Sequence, residues 1–479
     1  MKFFSLLLSL SLIMMPSLLL SNSVQANDTL PSNIKQHLPT GSRNSILLQP
    51  VNASDLQVTE SNRQLFPPAS TLKLVTALAA KLALEDSFHY STQLKKQGSD
   101  IIIHFSGDPT LSRNDLKKLL SQLAKTNNNT IKGDLWLDNR AFSGYERAPG
   151  WPWDILGVCY SAPSSAITLE HNCVQGSLYS NNNGTTRVHV PKHQPIEVTS
   201  KVTAVSRKQQ QDKMCDLDLS AGADNHYHLS GCMIKREKPL PLKFAVQDTA
   251  QYTSQVITAL LQELNIRLTG SIKVGAPNNK AKINTLAQHH SDSLHTLLIK
   301  MLQQSDNLIA DNLTKTLGAH YFNQPGSFTN GSAAIKAILL EQAQIDLSQA
   351  QIVDGSGLSR SNRMSSHQMA QVLRYIWQHD KQLNLVSAMP TAGINGTLRY
   401  RPSMRKAPIK GQIMAKSGSL YGSYNMAGFG LDEKGQPSTL FVQFVSDYFP
   451  SNSTSNTSNI APITSFEIDF YQAIIKQSK

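Results

Sequence analysis

Cysteine is scarce in this chain, and what is missing around it narrows the chemistry. Only Cys159, Cys173, Cys215 and Cys232 occur in 479 residues, and none stands in a C-x-x-C pair of the kind that holds zinc. No H-E-x-x-H occurs either, so the cluster His289, His290 and His295 reads as loop histidines, and neither a metal nor an organic cofactor is expected. The chain has 45 basic and 33 acidic residues, a formal charge of +12, yet it lacks an arginine-rich tract with interleaved aromatics. Nucleic acid is therefore not the expected partner. A mildly cationic surface suits long-range attraction to an anionic polymer, or serves only solubility. Beyond the first residues no apolar run is long enough to span a bilayer.

The apolar run that does occur lies at the start. Met1-Lys2 precedes an apolar stretch from Phe3 to Met15, then Pro16, further leucines and Val24-Gln25-Ala26. Small residues at the last and third-last positions predict an export signal (1–26) cleaved after Ala26; an uncleaved anchor is the alternative. An even number of cysteines agrees with an oxidising compartment and two disulfides. Three pairings are open, and the sequential one, 159 with 173 and 215 with 232, is expected because each bond closes a local loop.

Periodicity then divides the chain. Asn44 to Val51 and Leu56 to Thr59 read as strands. After Pro67-Pro68, the residues Leu72, Leu74, Val75, Leu78, Ala79, Ala80 and Leu82 predict a helix that opens at Ser70 and is buried on most sides. Leu294, Leu297, Leu298, Met301 and Leu302 follow one helical face, and a further helix is expected from Leu308 to Leu317. Gln412 to Gly418, Tyr424 to Asp432 and Thr439 to Asp447 read as strands, Ser451 to Asn459 as a loop, and Phe466 to Ile474 as a closing helix. That helix lacks a dense basic face, so it is expected to pack on the sheet, with at most peripheral membrane contact. Between these parts, residues 86–285 hold all four cysteines and are too many for a loop. The expected organisation is a discontinuous domain, 27–85 with 286–479, carrying an inserted accessory region of one or two subdomains.

Three short patterns carry chemistry: Ser70-Thr71-Leu72-Lys73, Ser305-Asp306-Asn307 and Lys416-Ser417-Gly418. A serine hydroxyl is a weak nucleophile and needs a base, and a lysine one turn along can be that base if burial and a nearby cation such as Lys416 lower its pKa. Ser305 is a candidate proton relay between Lys73 and a leaving amine, and Asn307 a partner for substrate backbone and for Lys73. Asp306 is expected to point away. On a strand, alternation sends Lys416 and Gly418 to one side and Ser417 to the other, and Gly418 would let a substrate backbone lie close. Lys416 and Ser417 suit a carboxylate, and the N–H groups of Ser70 and Ser419 suit an oxyanion. Taken singly, each pattern has an ordinary reading: a helix cap, a surface lysine, a capping S-D-N.

In this order the trio resembles the signature of penicillin-binding proteins and serine β-lactamases, with K-S-G in place of K-T-G. Asp354-Gly355-Ser356-Gly357-Leu358-Ser359-Arg360, Trp151-Pro152-Trp153 and Phe244-Ala245-Val246-Gln247-Asp248 extend the likeness to the low-molecular-mass class C penicillin-binding proteins. That resemblance implies an α+β fold, an antiparallel sheet flanked by helices with mainly β accessory domains inserted. It implies a periplasmic D-alanyl-D-alanine carboxypeptidase and endopeptidase, peptidoglycan stem peptides as substrate, β-lactam antibiotics as acylating ligands, and leaves a homodimer open. Ser70 would form the acyl-enzyme, Lys73 would be the base, Ser305, Asn307 and Lys416 would complete the site, and Arg360 would help hold the peptide. Asp154 is the candidate for the diaminopimelate amine, displaced by one position from the family pattern, and Tyr421 stands where relatives carry glutamine. The alternatives are a serine β-lactamase, with Glu170 as its only tempting deacylating carboxylate, and a non-enzymatic wall-binding module.

Overall fold

The computed structural model describes residues 30–53, 58–126, 129–450 and 460–479. The expected signal (1–26), the start of the second expected strand at Leu56 and the polar stretch Ser451 to Asn459 lie outside the described residues.

Five strands form one antiparallel sheet in the order Ile413–Leu420, Ser423–Leu431, Pro437–Ser446, Arg43–Pro50, Val58–Glu60. Arg43–Pro50 pairs along its whole length with Pro437–Ser446, so the two ends of the chain share one sheet. Both faces of these strands are covered, and their two-residue alternation sorts side chains between two cores. Leu47, Phe429, Leu440, Val442 and Phe444 face a helical layer, whereas Ile46, Leu48, Met426, Phe441 and Val445 meet the closing helix Pro462–Ser478. Two-sided burial explains why the strands read as nearly unbroken apolar runs.

The helical layer is built around Lys73–Ala83, in which every residue from Lys73 to Ala80 is buried. Its alanines let neighbouring helices approach closely, and Asn307–Phe322, Phe328–Ala343 and Ser366–Gln378 all pack on it. Leu294–Gln304 buries the five residues that its periodicity marks.

The inserted region contains a mixed five-stranded sheet ordered Ile272–Val274, Leu135–Asp138, Asp100–His104, Ser91–Gln97, Ile283–His290. The last of these strands carries the accessory sheet five residues past the expected boundary at 285. Two helices not read from the sequence, Arg113–Thr126 and Thr249–Glu263, pack on it. Three smaller sheets among the described residues complete it, one of them joining Leu240–Ala245, Cys173–Ser180 and Thr186–His189. The disulfides are sequential, Cys159–Cys173 and Cys215–Cys232. No helix among the described residues is long and apolar enough to cross a membrane.

One buried ion pair ties the closing helix to the approach of the edge strand. Glu467, 2% exposed, accepts from Arg401 and, at 2.6 Å, from the Ser403 hydroxyl. Burying Arg401 opposes its charge, but the Glu467 carboxylate more than offsets this and holds the guanidinium pKa above its usual value. Removing one partner strands the other charge. Glu467→Ala is expected to lower unfolding free energy by about 3 to 5 kcal/mol, read from the urea midpoint. A loss under about 1 kcal/mol would mean that Arg401 reaches water instead.

Candidate active site

Ser70 stands on a constrained turn. Pro67-Pro68 stop any preceding regular structure, Ala69 adopts a left-handed φ of 48°, and a single 3-10 turn, Ala69–Leu72, leads into the helix at Lys73. A left-handed alanine costs on the order of 1 to 3 kcal/mol, so the surroundings must hold it. The Thr71 hydroxyl donates to Pro68 O at 2.7 Å, and Asn425 Nδ2 donates to Pro67 O at 2.7 Å. Two glycines supply room. A Cβ on Gly357 would lie 1.9 Å from Ala69 O, and one on Gly418 would lie 2.8 Å from Pro68 O and 3.1 Å from Ser70 N. Thus the close neighbour of Gly418 is the chain's own nucleophile turn.

Lys73 is fully buried, and its Nζ has three partners: Ser70 Oγ at 2.9 Å, Asn307 Oδ1 at 2.6 Å and Ser356 O at 2.7 Å. The amide of Asn307 is oriented because its Nδ2 donates to Tyr160 O at 2.7 Å. Asn307 Oδ1 and Ser356 O are acceptors only. When the amine is neutral, those two oxygens keep its remaining hydrogens aligned, and the lone pair is left for Ser70. Burial lowers the Lys73 pKa to about 8, against the opposing pull of Asp311, Asp354 and Asp306. The positive charge of Lys73 in turn disfavours a charge on Lys416.

Ser305 caps the Leu294–Gln304 helix with a left-handed φ of 58°, and Asp306 caps the next helix by accepting from Ile309 N at 2.9 Å. Two helix ends back to back aim Ser305 and Asn307 at one place. Lys416, fully buried, donates to Ser305 Oγ at 2.9 Å and to Ser417 O at 2.8 Å. Ser305 therefore meets Lys416, not Lys73. Burial, then Lys73 and Arg401, push the Lys416 amine well below the usual lysine range. Ser417 Oγ lies 2.8 Å from Thr397 Oγ1.

The loop after Ile352 supplies a support that sequence reasoning missed. Asp354 accepts from Gly357 N, Ser359 N, Asn362 Nδ2 and Trp151 Nε1, at 2.6 to 2.9 Å, which ties Trp151 of the accessory region to this loop. Asp311 Oδ1 accepts from Gly355 N at 3.0 Å and Ser356 N at 2.9 Å, fixing the carbonyl that holds Lys73. Burial and the nearby Asp354 raise the Asp311 carboxyl well above the usual range. Asn307, Asp311 and Lys315 are spaced four apart on one helix, and that polar spacing on one face was the available signal for Asp311.

The remaining candidates lie at the rim. Ser419 is exposed at the end of the edge strand. Arg360 is exposed and its guanidinium sits 5.6 Å from the ring centroid of Tyr421, itself 77% exposed. Asp154 lies on the exposed turn Trp153–Ile155; burial first, then the Asp154 charge, raises the phenol pKa of Tyr160. Glu170 accepts from Arg113 N at 2.5 Å, at the start of the 113–126 helix. His289 faces Asp108 at 3.6 Å, and His290 packs against His89.

The family model for the D-Ala-D-Ala carboxypeptidase 3 (S13) family matches residues 27–467. D-alanyl-D-alanine carboxypeptidase DacB of Haemophilus influenzae is 35% identical over 93% of this chain and 94% of its own length. A D-alanyl-D-alanine carboxypeptidase of an Actinomadura species is 24% identical over 80% of this chain and 74% of its own. The crystal structure of penicillin binding protein 4 from Haemophilus influenzae matches with a TM-score of 0.84 at 34% identity, covering 93% of this chain and 99% of that one. A structure of penicillin binding protein 4 complexed with a β-lactam matches at 0.80, with 33% identity over 93% and 99% of the chains. A match this long, over a sheet, helices and insert of the same arrangement, leaves one assignment: the chain belongs to the S13 family of D-Ala-D-Ala carboxypeptidases.

Proposed function

We propose that the chain is a periplasmic serine DD-peptidase that cleaves D-Ala-D-Ala termini and D-Ala-diaminopimelate cross-links of peptidoglycan through an acyl-serine intermediate. The observation that carries the proposal is the Lys73 amine, buried and held by two obligate acceptors, with Ser70 Oγ as its third partner at 2.9 Å. Ser70 Oγ attacks the carbonyl of the penultimate D-alanine while Lys73 takes the hydroxyl proton. The N–H groups of Ser70 and Ser419 receive the developing oxyanion. Collapse of the adduct breaks the peptide bond; Ser305 gives its hydroxyl proton to the leaving amine, and the proton that Lys73 took from Ser70 replaces it on Ser305, which leaves Lys73 neutral for the second half. Water then hydrolyses the ester, with the same groups moving protons in reverse. Lys416 and Ser417 bind the terminal carboxylate. A β-lactam would enter as far as the ester, as its bound form in a relative suggests.

We assign Asp154, Arg360 and Tyr421 to the side chain of the stem peptide, the acid to its amine and the guanidinium to its carboxylate; the exposure of Asp154 and Arg360 and the Arg360–Tyr421 contact support this. Glu170, engaged at a helix start, is a poor candidate to activate deacylating water, which favours a peptidase over a β-lactamase.

Ser70→Ala is expected to abolish both labelling by fluorescent penicillin and release of D-alanine from muropeptides; persistent labelling would move the nucleophile elsewhere. A lysine lowered to about 8 is roughly a tenth neutral at neutral pH, far more than an ordinary lysine. Because only the neutral amine accepts a proton, the second-order acylation constant is expected to climb about tenfold from near pH 7 and to level above about pH 9. A profile flat across that window would exclude Lys73 as the base. Gly418→Ala, which thrusts a methyl at Pro68 O and Ser70 N, is expected to cut acylation at least about a hundredfold, like the loss of an oxyanion donor. Near-native acylation would show that the turn yields freely.

A further inference from the structure

Beside the nucleophile lies a second chamber. A cavity of about 850 Å³ opens at the Ser305-Asp306-Asn307 turn and is walled on its other side by the accessory region. Its size falls in the range of about 300 to 1,000 Å³ in which proteins hold small ligands. Of the site residues, Ser305 and Asn307 line it, whereas Ser70, Lys73 and Lys416 do not. Two strand pairs form the accessory wall. Lys243 and Gln175 are register partners on Leu240–Ala245 and Cys173–Ser180, and Leu219 is the register partner of Leu229 on Leu217–Ala221 and His226–Ile234. The Cys159–Cys173 disulfide stands in the same wall and ties the 158–160 segment to its strand, so the cavity is formed before a ligand arrives.

The acids of the cavity are engaged. Glu170 accepts from Arg113 N and Asp306 from Ile309 N, each at the start of a helix, and His171 Nδ1 lies 3.8 Å from the other Asp306 oxygen. Lys243 is exposed on its strand and forms no ion pair among the described residues. The wall therefore offers an aliphatic surface, Leu219 and Leu242, with an unpaired ammonium group and the amide of Gln175 beside it. We propose that this cavity is the subsite for the leaving strand: it takes the acidic peptide attached to the leaving amine when the bond to be cut is a cross-link. The inference rests on the acyl-serine reading above. There the leaving amine stands at Ser305 and its neighbouring carboxylate at Lys416 and Ser417, so the third substituent of the same carbon turns away from Lys416. Ser305 is the one of these three residues that also lines the cavity. For D-alanine that substituent is a methyl, which needs no chamber. For diaminopimelate it is a methylene chain leading to a second stem peptide with free carboxylates, which suits leucines flanked by an ammonium group.

The test uses two purified muropeptides, a monomer ending in D-Ala-D-Ala and a dimer cross-linked through D-Ala-diaminopimelate. Both present the same acyl strand and differ in the leaving amine, so their ratio isolates the leaving side. Mature wild type, Lys243→Glu, Lys243→Arg and Gln175→Trp are compared, with products identified by mass. Lys243→Glu, which reverses the charge, and Gln175→Trp, which narrows the cavity, are each expected to lower kcat/KM for splitting the dimer about five- to tenfold, mainly through KM. D-alanine release from the monomer and acylation by fluorescent penicillin should stay within about twofold. Lys243→Arg keeps the cation and should match wild type on both substrates. Dimer splitting that is unchanged in Lys243→Glu and Gln175→Trp overturns the proposal, and so does a fall in step with D-alanine release, which would put the acyl strand in the cavity. Penicillin acylation also reports folding; if Gln175→Trp fails it, the exposed Lys243→Glu change carries the comparison. Wild type that is acylated and releases D-alanine yet leaves dimers intact overturns this inference and leaves the acyl-serine reading standing. Wild type that no penicillin acylates overturns that reading and this inference with it.

Discussion

A single buried ammonium group organises this site. Lys73 sits inside a helix that has no exposed face over its first two turns, and its amine must find its hydrogen-bond partners within the protein. It finds them on three separate segments: the nucleophile turn, the start of the 307–322 helix and the carbonyl of Ser356. Leaving any of the three ammonium hydrogens without an acceptor would cost about 1 to 3 kcal/mol, so the group acts as a template for assembly. Asp311 and Asp354 extend that template outward, the first by holding Ser356, the second by holding the rest of its loop and Trp151. Catalytic geometry and accessory packing are consequently one network.

The nucleophile turn is the second constraint, and it works by exclusion of bulk. Gly418 and Asn425 are register partners on adjacent strands. One gives space to the Pro68–Ser70 segment and the other a hydrogen bond to Pro67 O, so two neighbouring positions of the sheet grip the turn from one side. Gly357, with a φ of 80°, lets the opposite loop approach from another. The left-handed Ala69 is tolerable because both contacts vanish if it relaxes.

Much of this could be read from the chain because each reading had a local physical signature. The 294–304 helix buried the residues its period marked, and the three C-terminal strands fell within two residues of their expected ends, ordinary fraying of boundaries. The accessory helix Arg113–Thr126 was not anticipated, although Leu116, Leu119, Leu120 and Leu123 carry a helical period. The buried acids were harder. Asp311 and Asp354 acquire their meaning only when their two segments and an inserted tryptophan converge on one lysine; the four-residue polar spacing marks a face at Asp311 but not what that face meets. The role of Gly418 was hidden for the same reason: glycine in a strand signals a close approach, but not what approaches.

The two lysines of the site differ in surroundings rather than in burial. Both are fully buried, yet Lys73 has Asp311, Asp354 and Asp306 within electrostatic reach, whereas the charged groups acting on Lys416 are cations, Lys73 and Arg401. An amine so placed gains more from an incoming anion than one already flanked by acids, since coulombic attraction in a desolvated site is weakly screened. This asymmetry supports the proposed division of labour, the substrate carboxylate to Lys416 and proton transfer to Lys73. It also gives a physical reason for a site that reads a free carboxyl terminus: the anion that the protein omits beside Lys416 is the one a D-alanine terminus brings.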